Sequence, residues 1–136
     1  MKRIALGFGV AMVAAGIAGF IPWLCPRQLL FGLFAVNDTH NLVHIATGLV
    51  AISVADSDDG IRIFFRVFGG LYATLAVLGF ETDNDVLGIA NNAADVGLHI
   101  AIAAMALYLG FFDKQSVMIR ATWHNATDSG QGPSGP

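Results

Sequence analysis

The sequence predicts an all-α integral membrane protein: a four-helix bundle of two parallel two-helix repeats, each with a short interfacial helix before its second span. Three observations predict it. Four apolar stretches, Ile4–Leu24, Asp38–Ala55, Ile61–Phe80 and Ala93–Phe112, take up most of the 136 residues. Each approaches the about 20 residues that cross a hydrocarbon core of roughly 30 Å at about 1.5 Å per residue. The chain is 55% hydrophobic and only 12% charged, against about 25% charged for a soluble domain, so polar side chains are too few to cover a globule in water. Finally, the two halves match when overlaid. Phe8-Gly9 and Gly19-Phe20 recur as Phe68-Gly69 and Gly79-Phe80, sixty positions on, while Asn37, His44, Ile45 and Ala46 recur as Asn92, His99, Ile100 and Ala101, fifty-five positions on. Backbone polar groups must pair within the chain in lipid, and continuous rather than alternating apolar runs favour helices over a barrel. Equal direction in the two halves makes the repeat parallel, with its pseudo-twofold axis along the membrane normal.

The first stretch follows Lys2 and Arg3. Its length, and the absence of a small-residue cleavage site at Pro22-Trp23-Leu24-Cys25, make it a retained span rather than a signal peptide. Cys25 is the single cysteine, so no internal disulfide and no thiol metal cluster are available. Residues 28–36 and 86–90 are apolar but too short to span, and are expected as half-buried helical turns in the outer interface. Asn37 and Asn92 follow them as N-caps of the second and fourth helices. Asp56-Ser57-Asp58-Asp59-Gly60 is a tight polar turn. Arg66, about one turn into the third span, is expected to reach the headgroups with its long stem. Residues 113–136 turn polar and end in a Gly/Ser/Pro run, expected as a disordered cytoplasmic tail after the transmembrane domain of residues 1–112. Trp123 there reads as a headgroup anchor, and no chemistry attaches to His124.

Orientation follows from the basic residues. With these spans Lys2, Arg3, Arg62, Arg66, Lys114 and Arg120 lie on one side and Arg27 alone on the other. The positive-inside rule then puts both termini in the cytoplasm of a bacterial plasma membrane protein.

Chemistry concentrates at the outer ends of the second and fourth helices. Residues four apart share a helix face, so His40 pairs with His44 and Asp95 with His99, with Asn41 beside the first pair. Imidazole and carboxylate together are a workable metal ligand set, which makes His40, His44, Asp95 and His99 candidate metal ligands. As repeat partners, His44 and His99 are also candidate axial ligands of a haem or pigment. The other reading is structural. Asn37 with His40, and Asn92 with Asp95, have cap-and-third-position spacing, and His44 and His99 can bond across the helix pair. Under that reading no cofactor is present. Phosphate cradles, nucleophile elbows and basic stripes are missing from the sequence, so neither catalysis nor nucleic-acid binding is expected.

The run Leu30-Phe31-Gly32-Leu33-Phe34-Ala35-Val36-Asn37, then His40-Asn41-Leu42-Val43-His44 and Gly48, followed by Asn92, Asp95 and His99, resembles a family of small bacterial four-span membrane proteins known as domain of unknown function 4383. The resemblance covers roughly residues 3–112. In that family an Asn follows the Asp of the second half, where this chain has Val96, so a role for an amide at that position does not carry over. The resemblance implies the double-hairpin fold and no activity. Two functions are therefore expected: a non-enzymatic structural or accessory subunit packed against other membrane subunits and the lipid bilayer, or a metal- or haem-binding protein engaged in electron transfer.

Overall fold

The computed structural model describes residues 1–82 and 85–112. The expected tail, with Lys114, Arg120, Trp123 and His124, lies outside the described residues. The chain forms helix α1 (Lys2–Ala18), two 3-10 turns (Pro22–Leu24 and Pro26–Gln28), a hairpin of β1 (Leu29–Leu30) and β2 (Phe34–Ala35), and helix α2 (Asp38–Ser53). A short loop leads to α3 (Asp58–Glu81), then a second hairpin of β3 (Asp85–Val86) and β4 (Ile89–Ala90), and α4 (Ala93–Phe112). Among the described residues two of the four α-helices, α3 with 24 residues and α4 with 20, are long and apolar enough to cross a membrane. α1 and α2 have 17 and 16 residues.

α1 stops well short of Leu24, where the first span was expected to end. Pro22 carries no N–H and pushes the residue before it out of the α region, and Ile21 accordingly adopts φ −93°, ψ 108°. The last turn tightens first, with Phe20 N–H donating to Ile17 O and Ile21 N–H to Ala18 O.

The expected interfacial helices are instead antiparallel hairpins. Val86 pairs with Ile89 across the two-residue turn Leu87-Gly88, and Leu30 with Phe34 across Phe31-Gly32-Leu33. Leu87 (φ 56°) and Gly88 (φ 83°) are both left-handed, as are Phe31 (φ 53°) and Gly32 (φ 73°). Successive positive φ values reverse the chain with the twist that suits a hairpin, and they cannot continue a right-handed helix.

α1 packs mainly on α2, and α3 on α4. The first pair crosses backbone to backbone: a Cβ placed on Gly9 would lie 2.7 Å from Gly48 O, so that approach needs glycine. The pairs meet in an aromatic core. Phe8 of α1 lies edge-on to Phe64, Phe65 and Phe68 of α3, with ring centroids 6.0, 5.8 and 5.0 Å away. Buried positions recur along the chain. Ala5, Gly9, Met12 and Gly16 of α1 are buried, as are Phe65, Gly69, Tyr72 and Ala76 sixty positions on. His40, Asn41, Gly48 and Ala51 of α2 match Asp95, Val96, Ala103 and Ala106 of α4, fifty-five on.

Away from the core, every helix exposes large apolar side chains, among them Val10, Leu49, Val67 and Met105. At the loop end, Lys2 pairs with Asp56. Arg66 reaches the last turn of α4, where its Nε donates to Gly110 O at 2.7 Å and its guanidinium lies 4.7 Å from the centre of the Phe111 ring. A cation is favourable toward the C-terminal side of a helix, where the macrodipole is negative.

Candidate functional site

At the opposite end the polar residues of each half bond to the hairpin of the other half. Asn37 caps α2, its Oδ1 accepting from His40 N–H at 2.8 Å, while its Nδ2 donates to Gly88 O in the second hairpin at 3.0 Å. Asn92 does the same in reverse. Its Oδ1 accepts from Ala94 N–H at 2.8 Å and Asp95 N–H at 3.0 Å, and its Nδ2 donates to Leu33 O in the first hairpin at 2.8 Å. One amide thus serves as helix cap and as strut between the halves.

The third helical residues complete the interlock with opposite chemistry. Asp95 Oδ2 accepts from Asn92 N–H at 2.9 Å, closing a capping box, and from Ala35 N–H at 2.9 Å. His40 Nδ1 lies 2.8 Å from Ala90 O. A carbonyl oxygen only accepts, so the hydrogen-bond network assigns a proton to His40 Nδ1. In the neutral ring His40 Nε2 is then an acceptor. His44 Nε2 stands 3.0 Å from it and supplies the proton, which fixes the tautomers of both rings.

Beneath the interlock is a cavity of about 160 Å³ that His40, Asn41, His44, Asp95 and His99 help to line. The His40 and His99 rings are 6.4 Å apart, and Tyr72 of α3 meets His99 edge-on at 5.0 Å. His99 Nδ1 is buried without a partner among the described residues. The structure therefore gathers the three histidines and Asp95 around one space, while Asp95 Oδ2 is taken by backbone N–H groups. Among the described residues no three His, Cys, Asp or Glu side chains converge tightly enough to enclose a metal ion. The cavity is also smaller than the roughly 300–1,000 Å³ of cofactor pockets.

Asn91 escapes sequence reasoning. It is 2% exposed, and neither Nδ2 nor Oδ1 has a partner among the described residues. Its amide lies against Gly79 beside Val96, just as the amide of Asn41 lies against Gly19. The signal was present in the overlay: Val36 and Asn41 of the first half stand where the second has Asn91 and Val96.

Chemically the site can pair backbone groups, hold water and offer imidazole nitrogen. Several hydroxyls away from the cavity are engaged locally. Ser57 Oγ caps α3 through Gly60 N–H, and Ser53, Thr74 and Thr82 donate to carbonyls of their own helices. Cys25 Sγ lies 3.5 Å from Ala18 O and Gly19 O. No curated protein and no solved structure matches the chain. The model of the family described as Domain of unknown function (DUF4383) matches residues 2–112, so its four-helix frame and the whole interlock fall within the match, and the chain belongs to that family.

Proposed function

We propose that the protein is a four-span component of a bacterial plasma membrane, built from two parallel halves, which serves as a non-enzymatic structural or accessory subunit of a larger membrane assembly. The observation that carries this reading is the reciprocal interlock. Asn37, His40, Asn92 and Asp95, the polar residues most suited to chemistry, spend their hydrogen bonds on backbone atoms of the opposite hairpin. Groups so committed hold a shape. The recurrence of buried positions at spacings of sixty and fifty-five supports the repeat.

Large apolar side chains exposed on α1 and α2 as well as on α3 and α4 support lipid or partner helices around the whole bundle. α1 and α2 measure roughly 25 Å, a little short of the hydrocarbon core, and local thinning of the bilayer accommodates such a mismatch. Lys2, Arg3, Arg62 and Arg66 at one end against Arg27 at the other support cytoplasmic termini.

The reading is tested by extracting the tagged chain from its own membrane in a mild detergent and measuring the mass and composition of the particle. Co-purification of a fixed set of membrane subunits at constant ratio is the expected result. A free monomer or homo-oligomer with no fixed companion would refute the accessory role, and labelling of an engineered Cys at position 57 from outside intact cells would refute the orientation.

A further inference from the structure

We infer that His40 and His44 form a two-imidazole site for a first-row divalent transition-metal ion, open on one side to the cavity beneath the interlock. The site goes beyond the structural role above and does not depend on how many helices span the bilayer.

The Nε2 atoms of His40 and His44 face each other at 3.0 Å. Nitrogen ligands bind such ions at about 2.0–2.1 Å, so an ion held by both nitrogens would subtend an angle of about 95°, the cis arrangement of a tetragonal copper or nickel centre. The outer atom of His40 is already set for this task. Its Nδ1–H donates to Ala90 O at 2.8 Å, and a backbone carbonyl on the second ring nitrogen is what fixes the orientation and raises the basicity of a ligating histidine. The spacing is right as well, since His40 and His44 lie one turn apart on one face of α2.

The remaining positions of the ion fall to water. The cavity of about 160 Å³ exceeds the roughly 10–15 Å³ that one water requires. His99 lines the same cavity, and its Nδ1, buried and unpartnered among the described residues, bonds a coordinated water and so acquires the partner it lacks. His99 is thus a positioning residue, not a ligand, which agrees with the absence of any three-residue ligand cluster among the described residues. The bond between the two rings opens on binding. His44 keeps its proton by moving it to Nδ1, so the exchange releases none.

The test is titration of the full chain in detergent micelles with Cu²⁺ and with Zn²⁺, following stoichiometry by calorimetry and the copper form by electron paramagnetic resonance. Expected are one ion per chain, tighter binding of Cu²⁺ than of Zn²⁺, and a hyperfine pattern from two nitrogens. His44→Gln, whose parent ring bonds only within its own helix, should weaken Cu²⁺ by about tenfold or more and leave one nitrogen. His99→Leu should keep the two-nitrogen pattern and shift the g-values through the altered water. Absence of a stoichiometric ion at micromolar concentration overturns the site. Binding unchanged in His44→Gln also overturns it, by assigning the ion to residues elsewhere such as His124.

Discussion

The two halves share one frame but fill it with different residues. Where the first half has His40, the second has Asp95, and each reaches the hairpin of the other half. His40 meets a carbonyl and donates; Asp95 meets an N–H and accepts. Where the first half has Val36 and Asn41, the second has Asn91 and Val96, yet an amide still fills the space left by Gly19 in one half and Gly79 in the other. What the two halves have in common is the slot and its polarity rather than the residue. The exchange leaves its mark on hydrogen bonding. His44 finds an imidazole one turn earlier, whereas His99 finds Asp95, whose Oδ2 is occupied, and the buried side-chain atoms without partners among the described residues are those of Asn91 and His99. The first half is thus the better satisfied.

That contrast breaks most sharply at the third helical positions. Asp95→Ala strands two part-buried backbone N–H groups, those of Ala35 and Asn92, and should cost about 2–4 kcal/mol by denaturant unfolding in micelles; His40→Ala strands one carbonyl and should cost about 1–2 kcal/mol. Equal losses would show that the hairpin bonds carry no weight. Gly19→Ala should follow, since the added methyl collides with the Asn41 amide and costs about 2–3 kcal/mol through overpacking, read as a lower Tm. Capping separates the halves more gently. Asn92 accepts from two N–H groups and Asn37 from one, so Asn92→Ala should cost about 2 kcal/mol against about 1 for Asn37→Ala. The smallest effect comes from the exchanged pair. Asn91→Val together with Val96→Asn rebuilds the first-half arrangement in the second, and the double variant should lie within about 1 kcal/mol of the natural chain. Each single change should be worse than the pair, a coupling that a double-mutant cycle measures directly.

How much of this lay in the sequence depended on range. The spacing of Asn37 to His40 and of Asn92 to Asp95 is local, as is the one-turn separation of His40 and His44, and local spacing is what a sequence displays. The hairpins were hidden because Phe31 and Leu87 sit at positive φ, where Gly, Asn or Asp would have announced a turn. Only Gly32 and Gly88 hinted at one. Pro22 did mark the end of α1, but the apolar run on either side of it outweighed that signal. The bonds from Asn37 to Gly88 and from Asn92 to Leu33 join residues more than fifty positions apart, and nothing in either segment names its partner. Asn91 was legible only to a comparison that allowed one residue type to change places.

The interlock also imposes an order on synthesis. When α2 has left the ribosome, the first hairpin still has Leu33 O and Ala35 N–H without the partners that Asn92 and Asp95 will bring, and Asn37 and His40 have no second hairpin to hold. The first half therefore waits unfinished until α4 begins to form, and closure comes late rather than as an early nucleus. A chain cut after α2 leaves polar backbone of the first hairpin open, a defect that a protease can read as the mark of an incomplete molecule.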